Sequence, residues 1–218
     1  MVADVAAFVQ DKFPSTEPVF VMGHSMGGGE ILTLAGDKQY EDIVSQVRGW
    51  ILECPFIGFS KDEEPSSLKV VMGRLVGKLL PKQQLKHIVP PEHLSRDPAI
   101  VESIRNDPLC HNTGTLEGLA SLLDRTATLS SGTVKLGKQV QSIWLAHGTE
   151  DKTCSYDVAM NWLDGQPIED KEKKSYDGAY HQLHSDLCKE EFGRDLVAWI
   201  MKRAGGGADA AAQVESKL

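Results

Sequence analysis

Two rhythms of apolar positions run along this chain: short continuous runs, and longer stretches with helical spacing. Val2, Val5, Ala6, Phe8 and Val9 predict a helix over Val2 to Phe13, ended by Pro14. Val19-Phe20-Val21-Met22 is a continuous apolar run, the pattern of a strand buried on both faces. A glycine-rich turn follows, then Ile31 to Ala35 on a helix. Gly49 to Cys54, closed by Pro55, and Ser142 to Ala146 read as two more buried strands, with Lys174 to Tyr176 as a weaker fourth. Val158 to Leu163 predicts a short helix. Asp186 to Arg203 predicts a closing helix with Leu187, Phe192, Leu196, Trp199 and Ile200 on one face. Strands that alternate with helices imply a parallel α/β sheet.

The piece from Phe56 to Gly137 breaks that rhythm. It is rich in proline and reads as helical or irregular throughout, so it is expected to be an insertion over the sheet. The predicted organisation is therefore a first part of the core over 1–55, a helical cap or lid over 56–137, and the rest of the core over 138–204. A Gly- and Ala-rich tail over 205–218 is expected to be disordered. Within the insertion, Leu68, Val71, Met72, Leu75, Val76, Leu79 and Leu80 form an apolar stripe, with Lys69, Arg74, Lys78 and Lys82 nearby and Pro81 at its end. The stripe fits either a cap helix packed on its own core or a lid that dips into a lipid surface.

Composition narrows the function classes. The chain has 218 residues and a net charge of −8, with 41% hydrophobic and 25% charged residues, which is ordinary globular usage. The acidic balance argues against a broad nucleic-acid footprint. No run of about 18 apolar residues predicts a membrane span. The first residues carry Asp4 and no basic segment, so they do not read as a secretory signal, and the expected location is cytoplasmic. Cys54, Cys110, Cys154 and Cys188 are scattered without a CxxC pair, so they read as reduced thiols rather than a disulfide framework or a zinc site.

Gly23-His24-Ser25-Met26-Gly27 matches G-x-S-x-G between a strand-like and a helix-like segment, the context that a nucleophile elbow requires. The sharp turn would expose the Ser25 hydroxyl at the carboxyl edge of the sheet. The Met26 N–H would then face a developing oxyanion, helped by the helix N-terminus. A serine nucleophile needs a histidine base and a carboxylate that fixes the histidine tautomer. His24 lies inside the elbow and is expected to point away. His87, His93 and His111 lie in the insertion, and His147 is expected to shape a turn with Gly148. His181 follows the fourth strand, where the base belongs. His184 is the runner-up, better suited to capping or packing at the closing helix, and a metal pair of the two lacks an evident third ligand. For the acid, Asp151 sits just beyond the third strand. Glu150 should face away, and Asp157 starts or solvates the next helix. Glu53 closes the second strand, a position that also suits the acid, and otherwise reads as a helper near the strand end.

The chain resembles the monoacylglycerol lipases of the α/β-hydrolase superfamily, particularly the fungal type. The resemblance runs from about Val2 to Arg203. It rests on the Gly23 to Gly28 elbow, Leu94-Ser95-Arg96-Asp97-Pro98, Asn106-Asp107-Pro108-Leu109, His147-Gly148-Thr149-Glu150-Asp151 and Tyr176-Asp177-Gly178-Ala179-Tyr180-His181. It implies an α/β-hydrolase fold with a partial parallel sheet from the nucleophile strand onward and a helical cap. It implies Ser25, Asp151 and His181 as a triad, ester hydrolysis of a monoacylated glycerol through an acyl-enzyme, and no cofactor. It also implies peripheral contact with membranes or lipid droplets, and thiol sensitivity through Cys154. Family members carry several strands and a His-Gly oxyanion loop before the elbow, which would need roughly 60 residues or more. Here Ser25 follows one helix and one strand, so the chain reads as an N-terminally truncated fragment or an incomplete gene model, with Val19 to Met22 expected to be left as an exposed apolar edge and activity weak or absent for lack of a second oxyanion donor. Lysophospholipase and general carboxylesterase are the neighbouring readings within the class. A non-catalytic binding module is the reading from another class. Peptidase activity ranks low, because no acidic cluster suits a peptide amino terminus.

Overall fold

The computed structural model describes residues 1–61 and 76–205. The strands are β1 (Phe20–His24), β2 (Gly49–Glu53), β3 (Gln84–Lys86), β4 (Thr113–Thr115), β5 (Ile143–Gly148) and β6 (Lys171–Tyr176). The α-helices with complete bounds are α1 (Val2–Gln10), α2 (Met26–Gly36), α3 (Glu41–Val44), α4 (Pro98–Asn106), α5 (Leu116–Ser130), α6 (Tyr156–Asp164) and α7 (Lys189–Arg203). Residues 76–79 are also helical.

Four strands form one parallel sheet in the order β1-β2-β5-β6, with His24 opposite Glu53 and Gly148 opposite Tyr176. The two-residue period of a strand sends alternate side chains to opposite faces. Trp50, Leu52, Ile143 and Leu145 join α1, α2, α3 and α6 in one core cluster. Ile51, Trp144 and Ala146 join Phe192 and Trp199 of α7 in the other. β2 and β5 are buried along their whole length, as their unbroken apolar runs predict.

β1 lies at the edge of the sheet, with Met22 43% exposed. Its apolar run has the pattern of a strand buried on both faces but forms the exposed edge expected for Val19 to Met22. An apolar groove of about 300 Å³ runs beside it, lined by Val5, Phe8, Val19, Val21, Met22 and Ile31 among others. β6 is longer than predicted and begins at Lys171. It is the other edge, where charged side chains reach solvent. α7 starts at Lys189 rather than Asp186, so Leu187 falls outside the helix and is exposed.

The insertion is not wholly helical or irregular. β3 and β4 pair antiparallel within it, and α5 packs against α2. The predicted helix stops before Leu80 and Pro81. Most of the predicted apolar stripe (Leu68, Val71, Met72, Leu75, with Lys69 and Arg74) and the tail beyond residue 205 lie outside the described residues.

Candidate active site

The turn between β1 and α2 is a tight elbow. Ser25 takes φ 52 and ψ −120, in the region that L-residues avoid. Such a conformation costs about 1–3 kcal/mol and persists only where its surroundings impose it. Here the Ser25 N–H donates to the Glu53 carbonyl at 3.0 Å, and the Ser25 carbonyl accepts from Phe56 N–H at 2.8 Å. Glycine is required on both sides of the turn. A Cβ on Gly23 would lie 2.6 Å from the Gly27 carbonyl oxygen, and one on Gly28 would lie 2.8 Å from Pro55 Cβ. Met26 is the first residue of α2, so its N–H has no carbonyl one turn earlier in the helix to bond. It is free to face charge at Ser25.

His181 and Asp151 meet across two loops. Their Nδ1 and Oδ2 atoms are 2.8 Å apart, and both residues are buried. Asp151 Oδ1 accepts the N–H groups of Thr153 and Cys154 at 2.8 and 2.9 Å, so its carboxylate is held on both oxygens. Burial works to raise the Asp151 pKa. The hydrogen bond and charge of His181, the charge of His147 and the Cys154 N–H outweigh it and hold the carboxyl below its ordinary range. With Nδ1–H donated to Asp151, the opposite ring nitrogen, Nε2, is left without a proton and able to accept one.

Cys154 lies beside this pair, with its Sγ within 4.8 Å of the ligand atoms of Asp151 and His181. Burial and the charge of Asp151 push the Cys154 thiol well up, so it stays protonated. A second trio of potential ligands, Cys54, His147 and Asp151, lies on the other side of the same carboxylate. Both trios depend on Asp151, whose oxygens already accept three donors. Spacing along the chain gave no sign of these clusters, because their members come from three different strand ends.

The remaining candidates divide clearly. Glu150 is exposed and faces away, and Asp157 lies in the first turn of α6, whose N-cap is Ser155. His147 is buried against Gly148, with its Nδ1 3.1 Å from that residue's carbonyl oxygen, and burial lowers its pKa. His184 pairs with Glu53 instead of the elbow, Nδ1 to Oε1 at 2.7 Å. His24 does more than point away from the nucleophile. Its ring packs 4.7 Å from that of His181, and its Nε2 lies 3.1 Å from the His181 carbonyl oxygen. Burial, then the neighbouring His181, lower the His24 pKa to about 4, so the ring is neutral and Nε2–H can donate.

The insertion reaches the same loop. Gln182 N–H donates to the Leu94 carbonyl at 2.8 Å, and Ser95 Oγ donates to the Ser185 carbonyl at 3.0 Å. Arg96 Nε lies 3.0 and 3.1 Å from the two oxygens of buried Asp186, which also accepts the Tyr180 N–H at 2.7 Å. The Ser-Arg-Asp-Pro segment is thus a latch: Ser95 and Arg96 hold the histidine loop, while Asp97 caps α4 and Pro98 opens it.

Comparison with known proteins agrees with this architecture. The sequence profile of the family described as serine aminopeptidase, S33, matches residues 1–187. A putative monoglyceride lipase of Schizosaccharomyces pombe is 29% identical over 192 residues, covering 86% of this chain and 48% of the relative. The monoglyceride lipase of Rattus norvegicus is 32% identical over 198 residues, covering 89% of this chain and 62% of the relative. The chain thus spans from about half to three fifths of the length of these two relatives. Among solved structures, a soluble variant of the Saccharomyces cerevisiae monoglyceride lipase, in complex with a substrate analog, superposes with a TM-score of 0.79 at 20% identity. That match covers 93% of this chain and 69% of the other. The Paleococcus ferrophilus monoacylglycerol lipase gives 0.77 at 23% identity, covering 93% and 74%. The parallel sheet, the elbow and these likenesses together show that the chain has the α/β-hydrolase fold and belongs to the serine aminopeptidase, S33, family.

Proposed function

We propose that this chain is a serine ester hydrolase acting on monoacylglycerol, with Ser25 as nucleophile, His181 as base and Asp151 as the acid that orients it. The observation that carries the reading is the buried Asp151–His181 hydrogen bond of 2.8 Å, set beside a strained serine elbow. In the first step the Ser25 Oγ gives up its proton to His181 Nε2 and attacks the ester carbonyl. The carbonyl electron pair moves onto oxygen, where the Met26 N–H and the start of α2 receive it. Collapse expels the glycerol oxygen, which takes the proton from His181. Water repeats the sequence on the acyl-enzyme and frees the fatty acid. Asp151 stays ionised throughout and stabilises the imidazolium.

The relatives named monoglyceride lipase support a glycerol monoester over a peptide, although the family description names a peptidase. The insertion over 56–137 serves as the cap in this reading. Its described part exposes Leu79, Leu80, Leu85 and Ile88, with Lys78, Lys82 and Lys86 nearby in the chain. That face suits peripheral contact with a membrane or lipid droplet from the cytoplasmic side, and no helix of the described residues is long and apolar enough to cross a membrane.

The test compares oleate release from monooleoylglycerol, from a lysophospholipid and from a short carboxylic ester, with an aminoacyl anilide as the peptidase control. The expected result is weak, Ser25-dependent hydrolysis with the glycerol monoester preferred. A Ser25-dependent preference for the anilide would overturn the assignment, and activity that survives Ser25→Ala would overturn the nucleophile.

A further inference from the structure

Glu53 stands at the junction of the nucleophile and the base. Its carbonyl accepts the Ser25 N–H at 3.0 Å. Its carboxylate accepts both the backbone N–H and the Nδ1–H of His184, at 3.0 and 2.7 Å. His184 lies only three residues beyond His181, so one residue grips the backbone of the nucleophile and the loop of the base. The residue opposite Glu53 in the sheet is His24, which precedes Ser25 and donates to the His181 carbonyl. The ring of His24 packs against the rings of both His181 and His184, with centroids 4.7 and 5.3 Å away.

The arrangement has an energetic cost that packing alone does not explain. The Glu53 side chain is 1% exposed, and its Oε2 is buried with no hydrogen-bond partner among the described residues. Burying a carboxyl oxygen without a hydrogen-bond partner is unfavourable. An apolar side chain would fill the same space at the strand end without that cost, so the carboxyl group is accounted for by what its other oxygen holds. What it holds is His184, whose pKa the Glu53 hydrogen bond pushes up.

Taking Ser25, His181 and Asp151 as the triad proposed above, we infer that Glu53, His184 and His24 are positioning residues for the reaction: a second histidine–carboxylate pair and a bridging ring that fix the His181 main chain relative to Ser25. Asp151 sets the tautomer of His181. The Glu53–His184 pair sets where the loop carrying it lies. A base displaced by about 1 Å loses on the order of 100-fold in rate.

The test uses His184→Ala, His184→Asn and Glu53→Gln in the full chain, beside wild type and Ser25→Ala. His184 is 47% exposed at its side chain, so its truncation empties no core. Asparagine can place an N–H donor near the Nδ1 position, whereas alanine cannot. Ester hydrolysis and the rate of labelling by a fluorophosphonate are read together, with folding checked by circular dichroism. The inference predicts that His184→Ala and Glu53→Gln lower kcat and the labelling rate about 10- to 100-fold with KM changed less than about twofold, and that His184→Asn recovers most of the loss. Folded His184→Ala with wild-type kcat, or His184→Asn as slow as His184→Ala, overturns it while the triad stands. A wild-type protein that neither labels nor hydrolyses overturns the triad reading, and this inference with it.

Discussion

At the scale of single residues, the elbow shows how far short-range rules reach. G-x-S-x-G before a helical pattern marks Ser25 because the turn admits few alternatives: φ 52 at the serine, and glycine wherever a backbone or a proline ring approaches. The glycines are not equivalent. A Cβ on Gly28 meets Pro55 Cβ, Pro55 Cα and the Gly23 oxygen at 2.8–3.1 Å, whereas a Cβ on Gly27 meets nothing within 4 Å. Gly28→Ala is therefore expected to cost about 1–3 kcal/mol through overpacking of rigid atoms. Gly27→Ala should be neutral or gain up to about 1 kcal/mol from helix propensity. Urea denaturation of the two variants measures the contrast, and equal stabilities would contradict the packing argument. His181 and Asp151 were also legible, as polar residues just past strand ends. Glu53 lies at such an end too, but its partner is not legible, because a contact between residues 131 apart leaves no local pattern.

At the scale of elements, legibility followed burial. β2 and β5 are central, so their apolar runs are unbroken and their positions were readable. β6 is an edge strand of Lys-Glu-Lys-Lys-Ser-Tyr, where one face meets solvent and lysine discourages further pairing, so only its end was recognised. The β3–β4 ribbon escaped notice because three-residue strands with no buried position carry no apolar signal. The same insertion carries the exposed Leu79, Leu85 and Ile88. Each such side chain contributes about 1.5–3 kcal/mol when fully removed from water. Replacing all three by serine should weaken binding to phosphatidylglycerol-containing vesicles at least 10-fold in a sedimentation assay. Unchanged binding would remove the proposed lipid contact from this face.

At the scale of the molecule, the chemistry sits where three strand ends converge. β1 delivers Ser25, β2 delivers Glu53, and the loop after β5 delivers Asp151. The loop after β6 brings His181 over them, held from above by Arg96 and Ser95 of the insertion. Both core clusters support this edge: one carries α2 against β1 and β2, and the other seats Ala179 and Leu183 against Trp144 and Phe192. The account's central claim is that this convergence activates Ser25. Incubating the folded chain with a fluorophosphonate and mapping the adduct by peptide mass spectrometry tests it most directly. The prediction is a single adduct on Ser25, absent in Ser25→Ala and formed at least 100-fold more slowly in His181→Ala. A folded chain that takes no label, or takes it on a residue other than Ser25, would contradict the claim.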